Sequence, residues 1–467
     1  MNVAQTSLPQ MDEILIIGAG PSGLAAALAL RDAGLPVRVV ERGDRAGGLM
    51  RSPRFDDCIV DLGRKELYAR FPQVDALWND LLGDEYRPYP HRVGSLFGGR
   101  IIEMSGRYRG PARGMPPAWL VRGGIGLAAG WTQAALRSPR TYEEHWHGRV
   151  GPHFARVLAQ GYWEKFRGQG WADMPPPVDA SRRMAAAQAL RMARRGGMAG
   201  QKVWRHPLRG TGQLFEALAA RVTARGGRID YGAEVLALVP EPDGGVTATI
   251  RQGRAVTMQS YPNVISGLAV ERLWSLLPVH ADAAPVADPS AQRAVLLVYL
   301  LLDGPPAFPH AWLEVNDTKL KAGRVVNYAA FGGDMVPQRR TALCVEFFLA
   351  GNDPLFDASE DAQIALAMTE TAGAGLIDRS NLTGAYVLRL DRTNAAASWR
   401  EQQTSTRTRL FEKLRDVPAI YHVNRPGADW ATLAGMQAAR SIIVGDRDTF
   451  DRDADPTRRQ EDGSTAA

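Results

Sequence analysis

The amino-acid sequence predicts an α/β protein with two lobes, in which an α+β domain is inserted into a domain built around a parallel sheet. Two observations lead to this prediction. A strand–turn–helix–strand pattern occupies Glu13–Glu41, and such a pattern is typical of parallel α/β domains. The chain has 467 residues, more than one hydrophobic core usually accommodates, and its apolar content of 45% is that of an ordinary globular protein.

The first element is a short apolar strand, Glu13–Ile17, which leads directly into a glycine-rich turn and then an Ala/Leu-rich helix, Leu24–Asp32. The turn has the sequence GAGPSG, and its glycines are Gly18, Gly20 and Gly23. In this pattern Gly18 permits a tight turn, Gly20 lets the backbone approach a pyrophosphate, and Gly23 lets the helix pack closely on the strand.

A second buried strand, Val37–Val40, closes the unit at Glu41, 23 positions after Gly18. An acid at this position accepts hydrogen bonds from ribose hydroxyls, and the start of the helix offers its amides to phosphates. A glycine pattern alone is a weak signal, but within a complete strand–turn–helix–strand unit it is a strong one. We therefore predict a Rossmann-type dinucleotide-binding fold.

The residues after Glu41 distinguish between dinucleotides. The segment Arg42–Leu49 (RGDRAGGL) completes an ExxxRxGG pattern, which resembles the FAD-binding signature of the amine oxidase superfamily. The resemblance implies that Arg45 reaches the pyrophosphate and that the two glycines let the chain pass close to the cofactor. The residues implied to bind FAD are Gly18, Ala19, Gly20, Pro21, Ser22, Gly23, Glu41, Arg42, Arg45, Gly47, Gly48, Leu49, Val235, Asp429 and Thr432.

Further stretches are similar to the protoporphyrinogen oxidase-like and UDP-galactopyranose mutase-like branch of that superfamily, over about residues 12–450. They are Ile59–Gly63, Tyr162–Gly168, His206–Leu214 and Asn424–Arg440. The resemblance implies an amine oxidase-like fold with a discontinuous FAD-binding domain. Its predicted parts are 1–90, 205–275 and 385–450, the inserted substrate domain is 91–204 and 276–384, and 451–467 is a disordered tail.

Elements within these domains follow from local patterns. The first insert is predicted to be helical and rich in tryptophan. The second contains the apolar strands Ala294–Leu302, Arg324–Ala330 and Ala342–Leu349, which suit an antiparallel sheet over the flavin. Ile229–Val239 is predicted as one strand that brings the backbone of Val235 to the adenine.

Lys65 is the predicted functional group beside the flavin. It stands where the family pattern has a histidine, so no family catalytic base is transferred to this chain. A lysine here would orient water or oxygen, or bind an anionic substrate. The alternative is a surface lysine, or an ion-pair partner of Glu66 or Asp61.

The last helix, about Trp430–Ile443, is expected to direct its N-terminus at the flavin. Backbone amides near Ala431 and Thr432 would then stabilise negative charge on the reduced ring. Asp429 is predicted to be the N-cap of this helix, a role compatible with a contact to the cofactor.

Three other features have more than one interpretation. The segment Gly124–Ala129 has nucleotide-type glycine spacing but no buried strand before it, so we do not expect a second nucleotide site. Tyr162 and Lys165 share a helix face and either line a substrate cavity or form a helix contact. His206 is interpreted as structural.

Several classes of protein and site are not expected. The two cysteines, Cys58 and Cys344, are not paired in any redox or metal motif, and no His/Cys grouping predicts a metal. The net charge of +6 comes from scattered residues, so nucleic-acid binding is not predicted. No apolar run long enough for a membrane span and no secretory signal are apparent, so we expect a cytoplasmic protein.

The expected function is an FAD-dependent oxidoreductase that removes hydride from a C–N, C–O or C–C unit of a small molecule, in a bacterial biosynthetic pathway, with oxygen or another acceptor taking the electrons. One alternative is a non-redox flavin-dependent isomerase, for which the arginines of the first insert would suit a pyrophosphate substrate. Those arginines are Arg107, Arg109, Arg113 and Arg122. The other alternative is a flavin-free binding protein of the same fold.

Overall fold

The structure is a computed structural model that describes residues 13–89, 92–104, 114–177, 204–278, 293–331, 333–390 and 414–454. Within these residues the chain forms a five-stranded parallel sheet and a seven-stranded, mainly antiparallel sheet. Helices cover both sheets. The predicted α/β class with an added α+β unit is confirmed.

The parallel sheet is assembled from distant parts of the chain. Its central strand β1 (Ile14–Ile17) is buried along its whole length and lies between β2 (Val37–Glu41) and β13 (Val264–Ser266). The outer strands are β9 (Arg228–Tyr231), beside β2, and β19 (Ile420–His422), beside β13. This order brings the C-terminal part of the chain next to the glycine-rich turn that follows β1.

Each face of the parallel sheet is covered by a different layer. Helices pack on one face and a small antiparallel sheet packs on the other, and each layer forms its own apolar core. The helices are α1 (Pro21–Asp32), α6 (Gly212–Ala224) and α10 (Ala428–Val444), and the small sheet consists of β10 (Ala233–Pro240), β11 (Val246–Gln252) and β12 (Ala255–Tyr261).

Helices α1 and α10 approach closely at Gly435. A Cβ atom added there would lie 2.0 Å from the carbonyl oxygen of Ser22 in α1. We therefore expect Gly435→Ala to separate the helices and lower the free energy of unfolding by about 1–3 kcal/mol. Thermal unfolding measures this. Gly373→Ala is the matched control, because a Cβ atom there meets nothing within 4 Å; equal losses in both variants would contradict the prediction.

The seven-stranded sheet forms the second lobe. Its strands pair antiparallel except for one parallel pair, Val93–Phe97 with Trp312–Val315. In spatial order they are β18 (Leu382–Leu390), β14 (Arg293–Asp303), β17 (Arg340–Ala350), β16 (Arg324–Asn327), β15 (Trp312–Val315), β6 (Val93–Phe97) and β7 (Arg100–Glu103).

The two faces of this sheet have different neighbours. One face packs against helix α9 (Glu360–Gly373) and its flanking residues. The other face receives the segment Cys58–Leu62, which connects the glycine-rich region to the second lobe. Because side chains alternate along a strand, Leu297, Tyr299 and Cys344 all face this segment.

The remaining elements flank these layers. The described helices are α2 (Pro72–Leu82), α3 (Pro117–Leu136), α4 (Tyr142–Ala155), α5 (Gly161–Arg167), α7 (Val270–Trp274), α8 (Pro354–Asp357) and α11 (Arg447–Ala454). The short strands are β3 (Arg54–Phe55), β4 (Cys58–Ile59), β5 (Tyr86–Tyr89) and β8 (Trp204–Pro207).

Three predicted boundaries need correction. The strand predicted at Ile229–Val239 is interrupted at Gly232, where a φ of 64° turns the chain from β9 into β10 of another sheet. The domain boundary predicted between 384 and 385 falls inside β18, which pairs with β14 throughout. Helix α11 packs through the buried Phe450 and continues to Ala454, so it extends into the tail predicted to be disordered from 451; 455–467 lie outside the described residues.

Helix α3 bears on two predictions about the first insert. It runs without interruption through Gly124–Ala129, so that glycine pattern does not form a phosphate-binding turn. Among the helices of the described residues, none combines the length and the apolar character needed to cross a membrane.

Candidate functional site

The glycine-rich turn after β1 has the geometry of a phosphate-binding loop. Helix α1 begins at Pro21, and its N-cap, Gly20, makes no side-chain capping bond. The first amides of a helix have no acceptor within it, so they can donate to an anion placed there. Gly23 is required by packing, because a Cβ atom would lie 2.0 Å from the carbonyl oxygen of Gly18.

Glu41 organises the turn and faces the same site. Its Oε2 accepts the amide of Ala19 at 2.8 Å, and its Oε1 accepts the amide of Gly43 at 2.7 Å. Each carboxylate oxygen has two lone pairs, so both can still accept a ribose hydroxyl. The amide of Gly47 donates to the carbonyl oxygen of Ala19 at 2.8 Å. This bond fixes the neighbouring glycines Gly47 and Gly48 against the glycine-rich turn.

The open space at Gly20 fits a dinucleotide pyrophosphate. A Cβ atom built on Gly20 meets nothing within 4 Å. Gly48 is a near neighbour of the loop, because a Cβ atom built on Gly48 would lie 3.5 Å from the Cα of Gly20. The loop therefore presents bare backbone to an open cradle. These residues fit the phosphates and ribose of FAD, with Ser22 and Gly23 among those whose amides begin the helix.

The other predicted cofactor residues lie around this loop. Arg42 and Arg45 are exposed, and Arg45 forms an exposed ion pair with Asp44 at 3.5 Å. Leu49 is 42% exposed, and Val235 is buried beside a β-bulge in β10. A bulge releases backbone groups from strand pairing, as a backbone contact to adenine requires. Their contacts with the cofactor stay predictions.

The N-terminus of α10 differs from its prediction. Its N-cap is Gly427, with a φ of 86°, and Asp429 lies in the first helical turn. The Asp429 carboxylate accepts from Arg70 Nε at 2.7 Å and Nη2 at 2.8 Å, so its predicted N-cap role is wrong. This bidentate ion pair joins the first turn of α10 to Arg70, two residues before helix α2 begins.

The amides of α10 that are available to a ligand also lie about one turn earlier in the chain than predicted. The amide of Ala431 donates to Gly427 within the helix at 3.0 Å, so it is not available to a ligand. The hydroxyl of Thr432 is buried and donates to the carbonyl oxygen of Ala428 at 2.7 Å. The helix amides without an internal acceptor are those of the first turn, at 428–430.

Asp61 anchors the segment that leads to Lys65. Its carboxylate is fully buried and accepts from the amide of Thr211 at 2.9 Å and from His206 Nε2 at 3.2 Å, which agrees with the structural role expected for His206. Its carbonyl oxygen lies 2.9 Å from the Tyr299 hydroxyl and 2.7 Å from the Tyr328 hydroxyl. The sequence identifies Asp61 as part of a family pattern and as an alternative ion-pair partner of Lys65, and does not predict this anchoring role.

Three charged residues form a row across the large sheet. Glu314, Arg324 and Glu346 lie on the adjacent strands β15, β16 and β17, and the strand register pairs them directly. Arg324 Nη1 lies 3.0 Å from Glu346 Oε2, and its other terminal nitrogen contacts the Tyr162 hydroxyl. Glu346 also accepts the amide of Arg64 at 2.6 Å, which joins the row to the segment that follows Asp61.

We call six residues the charged cluster. Within it Arg64 pairs with Glu66, and Arg324 pairs with Glu346. The members of the charged cluster are Arg64, Lys65, Glu66, Glu314, Arg324 and Glu346.

Lys65 and Glu314 are the members of the charged cluster without a partner. Both are partly buried, and neither side chain forms a hydrogen bond or ion pair with another described residue. Burial lowers the pKa of Lys65, against the opposing effect of Glu346 and Asp61. Burial raises the pKa of Glu314, against the opposing effect of Arg324 and Arg64.

Several buried nitrogen and oxygen atoms of the charged cluster also lack partners. They are Arg64 Nε, Glu66 Oε1 and Arg324 Nε. Buried polar atoms are normally hydrogen-bonded, so such a concentration indicates a place where a ligand or water binds. The ion pairs suggested for Lys65 with Glu66 or Asp61 are absent, since no contact within 4.0 Å joins them among the described residues.

Tyr162 and Lys165 have separate roles. The Lys165 ammonium donates to the carbonyl oxygens of Val315, Asp317 and Ala322 at 2.8–3.0 Å, and therefore fixes α5 to the large sheet. Tyr162 contacts Arg324 of the charged cluster. The arginines at 107, 109 and 113 lie outside the described residues, and Arg122 is exposed on α3.

Comparisons with known proteins agree with this geometry. A family model described as flavin containing amine oxidoreductase matches residues 21–378. Protoporphyrinogen oxidase 2 of Arabidopsis thaliana is 39% identical over 77 residues, which is 16% of this chain and 15% of that protein. The chain thus matches only about one seventh of that relative's length.

Solved structures share the fold over nearly the whole chain. Reduced UDP-galactopyranose mutase superposes with a TM-score of 0.75, covering 96% of this chain and 98% of the other at 18% identity. A putative protoporphyrinogen oxidase from Exiguobacterium sp. 255-15 superposes with a TM-score of 0.72, covering 93% and 99% at 16% identity. The predicted two-lobed, amine oxidase-like fold is confirmed.

Proposed function

Because the chain belongs to the family of flavin-containing amine oxidoreductases, and so binds FAD, we propose that it oxidises a small molecule by removing hydride from a carbon atom held beside the charged cluster. The observation that carries the proposal is the position of Lys65. Its segment is fixed to the large sheet through Asp61 and Arg64, and to α10 through Arg70 and Asp429. Lys65 therefore lies in the part of the chain that joins the charged cluster, at Arg64, to the first turn of α10, at Arg70.

The residues of the chain have distinct tasks in this proposal. The glycine-rich turn and Glu41 hold the phosphates and ribose of FAD, and the first turn of α10 faces the redox-active ring. FAD, when bound, supplies a two-electron acceptor for hydride. Lys65 binds an anionic group of the substrate and so orients the carbon that is oxidised.

Anaerobic reduction of the FAD-loaded protein tests the redox proposal. Small amines, alcohols and their carboxylated forms are mixed with the protein under exclusion of oxygen, and the visible absorbance of the oxidised flavin is followed. We expect at least one carboxylated compound to bleach it. Oxygen admitted afterwards shows whether it is the electron acceptor, because the absorbance then returns.

The same experiment has a matched variant. We expect Lys65→Met to retain FAD but to require a higher concentration of the carboxylated substrate for half-maximal bleaching, because an anion-binding ammonium is lost. Lys319→Met, at an exposed position, is the control. Absence of bleaching by every compound tested, with FAD firmly bound, would refute the oxidase proposal.

The alternative proposal is a flavin-dependent isomerase without net redox change. The fold shared with UDP-galactopyranose mutase supports it. Against it, both arginines of the charged cluster, Arg64 and Arg324, are paired with carboxylates, which makes them less available for a diphosphate. An isomerase would act only after chemical reduction of the flavin and would consume no oxidant.

A further inference from the structure

The charged cluster is balanced overall but leaves one charge of each sign unpaired. It contains three cations and three carboxylates, and two ion pairs use four of these six groups. Lys65 and Glu314 remain, and no ion pair joins them. A partly buried, unpaired ion is unfavourable in a protein, so both groups indicate a missing partner.

The two unpaired groups belong to one connected site. Arg64 and Arg324 are electrostatic neighbours of both Lys65 and Glu314. Arg64 also lies over the Trp312 ring at 4.2 Å, and Trp312 shares a sheet face with Glu314 two residues later on β15. Lys65 and Glu314 thus have the same two arginines as neighbours, as expected for groups that bind one ligand.

Glu314 is not satisfied by the arginine beside it. The register places Arg324 directly across from Glu314, but its terminal nitrogens bond Glu346 and Tyr162. Tyr142 and Tyr162, from helices α4 and α5, are also electrostatic neighbours of Glu314. Carboxylate and aromatic side chains together favour a cationic or hydrogen-donating group.

We propose that the substrate is a zwitterion, with an anionic group paired with Lys65 and an ammonium group paired with Glu314. This inference rests on the proposed function, because it assigns a substrate class to the same site. A zwitterion supplies both missing charges at once, whereas a simple amine or a simple carboxylate leaves one of the two groups unpaired.

The test measures binding, independently of turnover. Unbranched ω-amino carboxylates of increasing length, starting with glycine, are titrated into the FAD-loaded protein by calorimetry. The alkylamine and the alkanoate of each chain length are titrated beside them. We expect one length of amino carboxylate to bind at least about ten-fold more tightly than either singly charged compound. Equal affinities at every length would overturn the inference.

Two variants separate the ends of the ligand. We expect Glu314→Gln to reduce the affinity for the amino carboxylate to that for the alkanoate, without changing alkanoate binding. Lys65→Met is expected to reduce the affinity for the amino carboxylate to that for the alkylamine, without changing alkylamine binding. Loss of both ligands in Glu314→Gln would indicate a purely structural role and overturn the assignment. If Glu314→Gln does not fold, Glu314→Asp takes its place. It keeps the charge and is expected to keep the preference for the amino carboxylate.

Exposed positions provide the controls, and the outcomes distinguish the two proposals. Glu360→Gln and Lys319→Met alter exposed charges of the same lobe and are expected to leave all affinities unchanged. A preference for zwitterions without flavin reduction would support this inference and refute the oxidase function. Flavin reduction by uncharged or singly charged amines without any such preference would refute this inference alone.

Discussion

Replacing Gly20 by valine is expected to produce a folded protein that has lost its FAD. A Cβ atom at this position meets no protein atom within 4 Å, and the φ of −86° suits any residue, so the folded chain can accommodate valine. The open space that receives the side chain is the cradle predicted for the pyrophosphate, so the added methyl groups are expected to exclude the phosphates. The measurements are the ratio of visible flavin to protein absorbance, and circular dichroism for the fold.

The control for this prediction uses the other glycine pattern. Gly124 also has nothing within 4 Å of a built Cβ atom, and it lies exposed within helix α3. We expect Gly124→Val to retain FAD fully. A yellow Gly20→Val protein with normal affinity for FAD would show that the cofactor does not occupy the turn after β1.

Local patterns predicted those parts of the fold in which neighbours in sequence are neighbours in space. The turn after β1, helix α1 and strand β2 pack on one another, so their residues alone contain the signal. The hairpin of β6 and β7 was not predicted, and the first insert was expected to be helical. β6 is short and contains glycine and serine, and it is fixed by pairing with β15, more than two hundred residues later.

The sequence predicted those site residues that belong to a local motif, and missed those that come together only through the fold. Glu41 follows its strand directly, so spacing identified it. The row of Glu314, Arg324 and Glu346 exists only through the register of three strands, which no local pattern determines. One signal was present: Glu346 is a single acid within the apolar run Ala342–Ala350 (ALCVEFFLA), and such a residue needs a partner.

The error at Asp429 has the same physical origin. An aspartate before an apolar helical pattern is most often an N-cap. Its partner here is Arg70, 359 residues earlier in the chain, and the bidentate geometry outweighs the local capping bond. Gly427 takes the N-cap position because its φ of 86° is readily adopted by glycine.

Replacing Arg324 by methionine is expected to have the largest effect on stability. The side chain is 7% exposed and its partner Glu346 is 4% exposed, so the substitution leaves a buried carboxylate without its cation. Removing one partner of such a pair typically costs about 3–5 kcal/mol. Urea unfolding, followed by tryptophan fluorescence, measures the loss in the free energy of unfolding.

Two further variants decide whether the unpaired carboxylate causes this loss. If it does, the double variant Arg324→Met/Glu346→Gln is more stable than Arg324→Met alone, because an amide tolerates burial better than an unpaired carboxylate. Arg251→Met breaks a salt bridge to Glu234 whose arginine is 51% exposed, and it is expected to cost less than about 1 kcal/mol. Equal losses in Arg324→Met and Arg251→Met would mean that water reaches the row of charges across the large sheet. The same result would weaken the case for a desolvated substrate site at Glu314, since an unpaired carboxylate in contact with water needs no ligand.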